Sequence, residues 1–279
     1  MKPVKIAISP CPNDTFMFDA IMHKKIDLYG LEFDFHFLDI QELNLGLLQN
    51  AFDVSKMSIA MLPEVVRDYI LLDSGAALGR GNGPLLVGNK NVQVEELLNE
   101  PVLIPGKNTT ANLLLSYAFA GFIDRKECLF SQIPAEIARG QASCGVIIHE
   151  SRFTFQEMGL FKLADLGEIW ESETMLPVPL GGIVASRKLG EDVIRLIQHI
   201  IHDSVCYAIN NPESSRGFVK SRAAETSDMV INQHIELYVN EFSRSLSDEG
   251  RRAILKLMGL TKSGELLTLQ DILLPWETQ

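Results

Sequence analysis

An α/β fold in two lobes is what the sequence predicts, from three features. Short β-rich runs alternate with amphipathic helical stretches, the alternation restarts part-way along the chain, and a purely helical tail follows. Val4 to Ser9 reads as a strand and Thr15 to His23 as the helix after it. Leu31 to Ile40 then leads into Glu42 to Gln49, and Val54 to Met57 into Ile59 to Arg67. This is the rhythm of βαβ units on a mostly parallel sheet. A second series follows Leu85 to Gly88: Val102 to Pro105 as strand, Thr110 to Ala120 as helix, Cys144 to Ile148 as strand, and Leu160 to Leu166 as a further extended segment. It reads as a small sheet of its own.

Gly182 to Ser186 reads as a strand returning to the first lobe. In the tail, Val193, Leu196, Ile197, Ile200, Val205 and Ala208 form an apolar stripe at helical spacing. A further helix follows Ser227, with Ile231, Ile235, Tyr238 and Phe242 on one face, and another runs from near Ser247 to Gly259. The expected organisation is a larger discontinuous lobe, residues 1–88 and 182–279, and a smaller inserted lobe, residues 89–181. Crossings near Leu86 and Ile183 would make a hinge and put a ligand in the cleft between lobes.

With 279 residues, 46% of them hydrophobic, the chain can bury a sizeable core. A net charge of −11 argues against a nucleic-acid surface, and Arg251, Arg252 and Lys256 read as a solvated helix face. Cys11, Cys128, Cys144 and Cys206 show no paired spacing, so neither a metal site nor a disulfide framework is signalled. No secretory pattern precedes the first strand and no run approaches ~20 apolar residues, so a cytoplasmic chain without a membrane span is expected. The apolar tail Ile272, Leu273, Leu274 and Trp276 reads as packing onto the first lobe, with a homodimer contact as the alternative.

Ligands in open α/β sheets bind beyond the carboxyl ends of strands, near helix N-termini. Three loops have that placement. In Ser9-Pro10-Cys11-Pro12-Asn13-Asp14-Thr15, Asn13 or Asp14 can cap the helix, and Ser9 and Asn13 are candidates for ligand hydrogen bonds. Lys56-Met57-Ser58 closes the third strand, where Ser58 is either an N-cap or a ligand contact. In Pro105-Gly106-Lys107-Asn108-Thr109-Thr110 a carboxylate fits the positive helix end beside Thr109 and Thr110, unless Thr109 serves only as N-cap.

Among the six histidines, His23, His199, His202 and His234 fall on or beside helices where surface or core-edge roles suffice, and His36 lies mid-strand. His149 differs, because it follows the strand Gly145-Val146-Ile147-Ile148 at its carboxyl end, at the cleft. It is the candidate for proton transfer.

As an ordered set, several segments resemble the 1,4-dihydroxy-6-naphthoate synthase family of the futalosine route to menaquinone. They are the first loop through Phe16, Lys56-Met57-Ser58, Ala77-Leu78-Gly79-Arg80-Gly81 with Gly83-Pro84, Pro105-Gly106 with Thr109-Thr110, and Ile147 to Thr154. The similarity continues through Leu176 to Gly181 and more loosely into the tail. It implies a type II periplasmic-binding-protein-like fold used as a lyase on cyclic dehypoxanthine futalosine, a small carboxylate substrate, without metal or organic cofactor. It also implies that His149 is the base and that Lys56, Met57, Ser58, Thr109 and Thr110 line the site; Met57 stands where another apolar residue such as leucine is expected. The alternatives are the related chorismate dehydratase and a non-catalytic protein that binds a small acid.

Overall fold

The computed structural model describes residues 2–224, 227–261 and 268–274. The first sheet is built on β1 (Val4–Ile8), with β2 (Phe33–Phe37) and β3 (Val54–Ser58) parallel on either side of it. β4 (Tyr69–Leu71) and β5 (Ala77–Gly79) also belong to this sheet. The chain then crosses to a second sheet of β6 (Leu85–Gly88), β7 (Val102–Ile104), β8 (Arg125–Glu127), β9 (Cys144–Ile147) and β10 (Phe161–Asp165), in the order β10-β6-β9-β7-β8. It returns along β11 (Val178–Ser186), which lies antiparallel to β3, β4 and β5.

Three expectations are corrected by this topology. The first sheet is mixed, because the returning β11 enters against the direction of β3. Leu85–Gly88, counted above with the first lobe, hydrogen-bonds to β9 and β10 of the second sheet. The returning strand begins at Val178 instead of Gly182, because Val178 and Pro179 pair with Gly79 and Leu78. The crossings therefore fall at residues 80–84 and just before Val178, side by side at the β5–β11 pairing.

The two crossings are tied together by side chains. Arg152 donates to the carbonyls of Gly83 and Gly81 and pairs with buried Asp165 at 2.7 Å. Glu171 Oε1 accepts from the Gly81 N–H at 2.8 Å, and Arg80 donates to the Met175 carbonyl. Gly83 lies so close to Gly167 that a Cβ added at Gly83 would stand 2.3 Å from the Gly167 Cα. Only a residue without a side chain lets these two backbones meet.

The long helix Glu191–Asn210 buries Ile194, Ile197, Ile200, Ile201, Val205 and Ala208 against a core that contains Ile6, Ile8, Met17 and Phe18. Apolar residues at three-to-four spacing make that face continuous. Leu273 bridges to Leu71, and Ile272, Leu273 and Leu274 are buried, so the tail packs onto the first lobe; Trp276 lies outside the described residues. Arg252 and Lys256 are exposed as expected, while Arg251 is half-buried and pairs with fully buried Asp73 at 3.2 Å. Among the described residues no helix is long and apolar enough to cross a membrane.

Gly83→Ala is expected to cost about 1–3 kcal/mol, since backbone has to move to admit the methyl group. Thermal unfolding would show a midpoint lowered by several degrees; an unchanged midpoint would mean that the Gly83 and Gly167 backbones are not in firm contact.

Candidate active site

One cavity gathers the ends of both sheets. It is lined by Ser9, Asn13 and Asp14 of the first loop, Lys56 and Ser58 of β3, Thr109, Thr110 and Ala111 of the second lobe, His149, Leu180 and Gly181, and Tyr238 of the helical tail, among others. Of the eight residues the sequence singled out, seven meet here. Met57 does not. Strand side chains alternate between faces, so Lys56 and Ser58 point into the cavity while Met57 points into the core below it, fully buried.

The floor of the cavity is a buried ion pair. Lys56 Nζ lies 2.9 Å from Asp14 Oδ1, with both side chains almost inaccessible. Asp14 also accepts from the Ser9 N–H at 3.2 Å, the Ser9 hydroxyl at 2.7 Å and the Asn13 amide at 2.9 Å. Its carboxylate is therefore not a helix cap. The helix Pro12–Met22 starts one residue after Cys11, with Pro12 at its first position, and neither Asn13 nor Asp14 caps it.

The hydroxyls divide into those already committed and those open to a ligand. Thr109 is the N-cap of the helix Thr110–Ala118, accepting from the Asn112 N–H and donating to the Gly106 carbonyl at 2.7 Å. Thr110 donates to the Leu180 carbonyl at 2.8 Å and accepts from the Ala60 N–H. Neither threonine keeps a hydroxyl proton for a ligand; what this helix end presents is its first backbone N–H groups. Ser58 does not cap a helix either. It is held by Asn44, which donates to its Oγ and accepts from its N–H, each at 3.0 Å, so the Ser58 O–H proton remains available. Lys56 uses hydrogens on Asp14 and on the Gly75 carbonyl, which leaves a third for a ligand.

His149 occupies the turn that leaves β9, at φ 56°. A left-handed backbone at a residue other than glycine costs roughly 1–2 kcal/mol, and such strain concentrates where a side chain must be aimed. The ring rests near Phe130, centroids 4.8 Å apart, and nearly parallel to His234 at 6.0 Å. Burial pushes its pKa down to about 4, with Asp14 pulling up and Lys56 pushing further down. At neutral pH the ring is uncharged and carries a free lone pair. Cys11, His149 and Glu150 have potential ligand atoms within 4.8 Å of one another, the one such group of three among the described residues. Burial holds the Cys11 thiol well above its ordinary range, so a cation there would have to displace a tightly held proton.

Sequence reasoning missed Asp14, Tyr238 and His234. Asp14 was given the role of a cap; Tyr238 and His234 sit on an amphipathic helix whose apolar stripe gave no hint of the cavity.

The chain matches the family profile described as Menaquinone biosynthesis over residues 4–263. The chain belongs to this menaquinone biosynthesis family. A Thermus thermophilus relative named 1,4-dihydroxy-6-naphtoate synthase is 40% identical over 257 residues, 92% of this chain and 93% of the relative. A Streptomyces coelicolor protein of the same name is also 40% identical, covering 91% of both chains. Among solved structures, an Archaeoglobus fulgidus protein superposes with a TM-score of 0.88 at 28% identity, covering 92% of this chain and 96% of its own. The Escherichia coli periplasmic aliphatic sulphonate-binding protein superposes at 0.70 with 11% identity, covering all of this chain and 94% of its own. This member of the menaquinone biosynthesis family thus has a periplasmic-binding-protein-like fold, as the resemblance implied.

Lys56→Ala leaves the Asp14 carboxylate buried without its counter-ion and is expected to cost about 3–5 kcal/mol. Removing both charges, with Lys56→Met and Asp14→Asn together, is expected to cost much less. Urea unfolding of the two variants checks this, and equal losses would contradict the pairing.

Proposed function

We propose that this chain is a 1,4-dihydroxy-6-naphthoate synthase, a carbon–carbon lyase acting on cyclic dehypoxanthine futalosine, with His149 as its general base. The observation that carries the reading is an uncharged histidine, held in a strained turn, facing a cavity that also holds an ammonium group and a helix N-terminus. The names of the curated relatives support the product.

His149 takes a proton from the bound substrate, and the electron pair left behind breaks a carbon–carbon bond as the six-membered ring becomes aromatic. The sugar-derived fragment departs, and aromatisation supplies the driving force. A positioned general base of this kind contributes typically 10²–10⁴-fold. Negative charge that develops on substrate oxygen is met by Lys56 Nζ and the Ser58 hydroxyl, both oriented by the protein before the reaction. The substrate carboxylate sits against the first N–H groups of the helix Thr110–Ala118, with Thr109 and Thr110 shaping the site through their own bonds. Ser9 and Asn13 act one step back, by fixing Asp14. The step uses this chain's side chains and backbone.

Purified protein incubated with cyclic dehypoxanthine futalosine is expected to form 1,4-dihydroxy-6-naphthoate, followed by absorbance and mass, with His149→Ala slowed by about 10²-fold or more. Product from both proteins at similar rates would move the proton transfer elsewhere. Turnover of chorismate alone would replace the reading with that of a dehydratase, and tight retention without turnover would favour a binding protein.

A further inference from the structure

His234 is fully buried, yet the proposed chemistry leaves it without a role. It lies on the helix Asp228–Tyr238, which packs against the helix Pro12–Met22 of the first lobe, while His149 follows β9 of the second sheet. The contact between the two rings, centroids 6.0 Å apart and planes within 11°, therefore crosses the cleft. The orientation of His234 is set by hydrogen bonds that begin at Asp14. A carboxylate only accepts, so Asp14 Oδ1 takes the Asn13 amide N–H, which leaves Asn13 Oδ1 to accept from His234 Nε2 at 2.9 Å. Nε2 must then carry the proton, and Nδ1 is a bare nitrogen without a partner among the described residues. Burial, His149 and Lys56 all hold His234 well below its ordinary pKa, so the ring stays uncharged. Tyr238 lies against it, with centroids 4.6 Å apart.

We propose that His234 is a positioning residue for the reaction: fixed by Asn13, its ring forms the wall that seats the His149 imidazole when the lobes meet, so that base alignment and cleft closure are one event. The proposal rests on the reading of His149 as the base. It explains why a histidine with one committed and one bare nitrogen occupies a buried position where leucine would pack at less cost. It also gives the first-loop network a function beyond binding, since the Asp14 carboxylate orients Asn13 and Asn13 orients His234. The other polar groups around His149 are Asp14, Lys56, Cys11, Glu150 and Tyr238.

The test is the titration of His149 in ligand-free protein, read from its imidazole NMR resonances, for wild type, His234→Ala and His234→Phe, with steady-state kinetics of each. His234→Ala opens the wall to water, so the His149 pKa is expected to rise from about 4 toward 6.5. In the same variant kcat falls by roughly 10²-fold, the scale set by misplacing a catalytic group, with KM little changed. His234→Phe keeps a flat ring and is expected to retain the low pKa and recover at least a tenth of wild-type kcat. An unmoved His149 titration, or wild-type kcat in His234→Ala, would overturn the proposal. If His234→Ala does not fold, His234→Leu, which keeps the wall dry but loses the flat ring, is expected to retain the low His149 pKa and lose roughly 10²-fold in kcat, and wild-type kcat in that variant would overturn the proposal. The titration needs no turnover: a His149 pKa raised by His234→Ala, when the wild type makes no naphthoate, would sink the function while supporting the seating of His149.

Discussion

The Asp14 carboxylate, buried at the floor of the cleft and accepting four hydrogen bonds from Ser9, Asn13 and Lys56, is the constraint on which the rest of the site depends. Taking a carboxylate and an ammonium out of water is costly, and the cost is tolerated only where geometry satisfies both. Here the satisfaction comes from three places: the loop after β1, the first turn of the helix Pro12–Met22, and β3. Each is thereby pinned to the others. The ion pair leaves Lys56 a hydrogen to offer and leaves Asn13 one orientation only.

The desolvation that makes the floor expensive also reaches half-buried His149 and makes it effective. A solvated imidazole is partly protonated near neutrality, whereas one held at about 4 is free to accept a proton throughout the physiological range. Weak basicity lowers its thermodynamic reach for a proton, and aromatisation of the product compensates for that in the proposed reaction. Asn44 of the first lobe donates to the Asn108 carbonyl at 3.1 Å and Gln41 to Glu127 at 3.2 Å, contacts that join the lobes near the threonine loop. A site that depends on both lobes excludes water only when they meet.

Much of this was legible in the sequence because it is local. Pro12 and the residues after it announce a helix start, Thr109 announces a cap, and a histidine directly after an apolar run announces a strand end at the cleft. Met57 came from the resemblance alone, and strand geometry overrides it: alternation along β3 cannot send Lys56, Met57 and Ser58 to one face. The extent of β11 was missed because Val178 and Pro179 are strand only by pairing with residues about a hundred positions earlier. His234 was out of reach for the same reason, since its partner Asn13 lies 221 positions away and its helix carries an ordinary apolar stripe. Thr109 and Thr110 line the cavity, but both hydroxyl protons are spent on carbonyls, which the sequence does not reveal.

The central claim is that a neutral, half-buried His149 acts as base, and the pH dependence of kcat/KM tests it most directly because that quantity reports the free enzyme. The account predicts a profile level from pH 8 down to about 5, falling on the acid side through an inflection near 4 as His149 gains its proton. An acid inflection near 6.5, the value of a solvated imidazole, would contradict it.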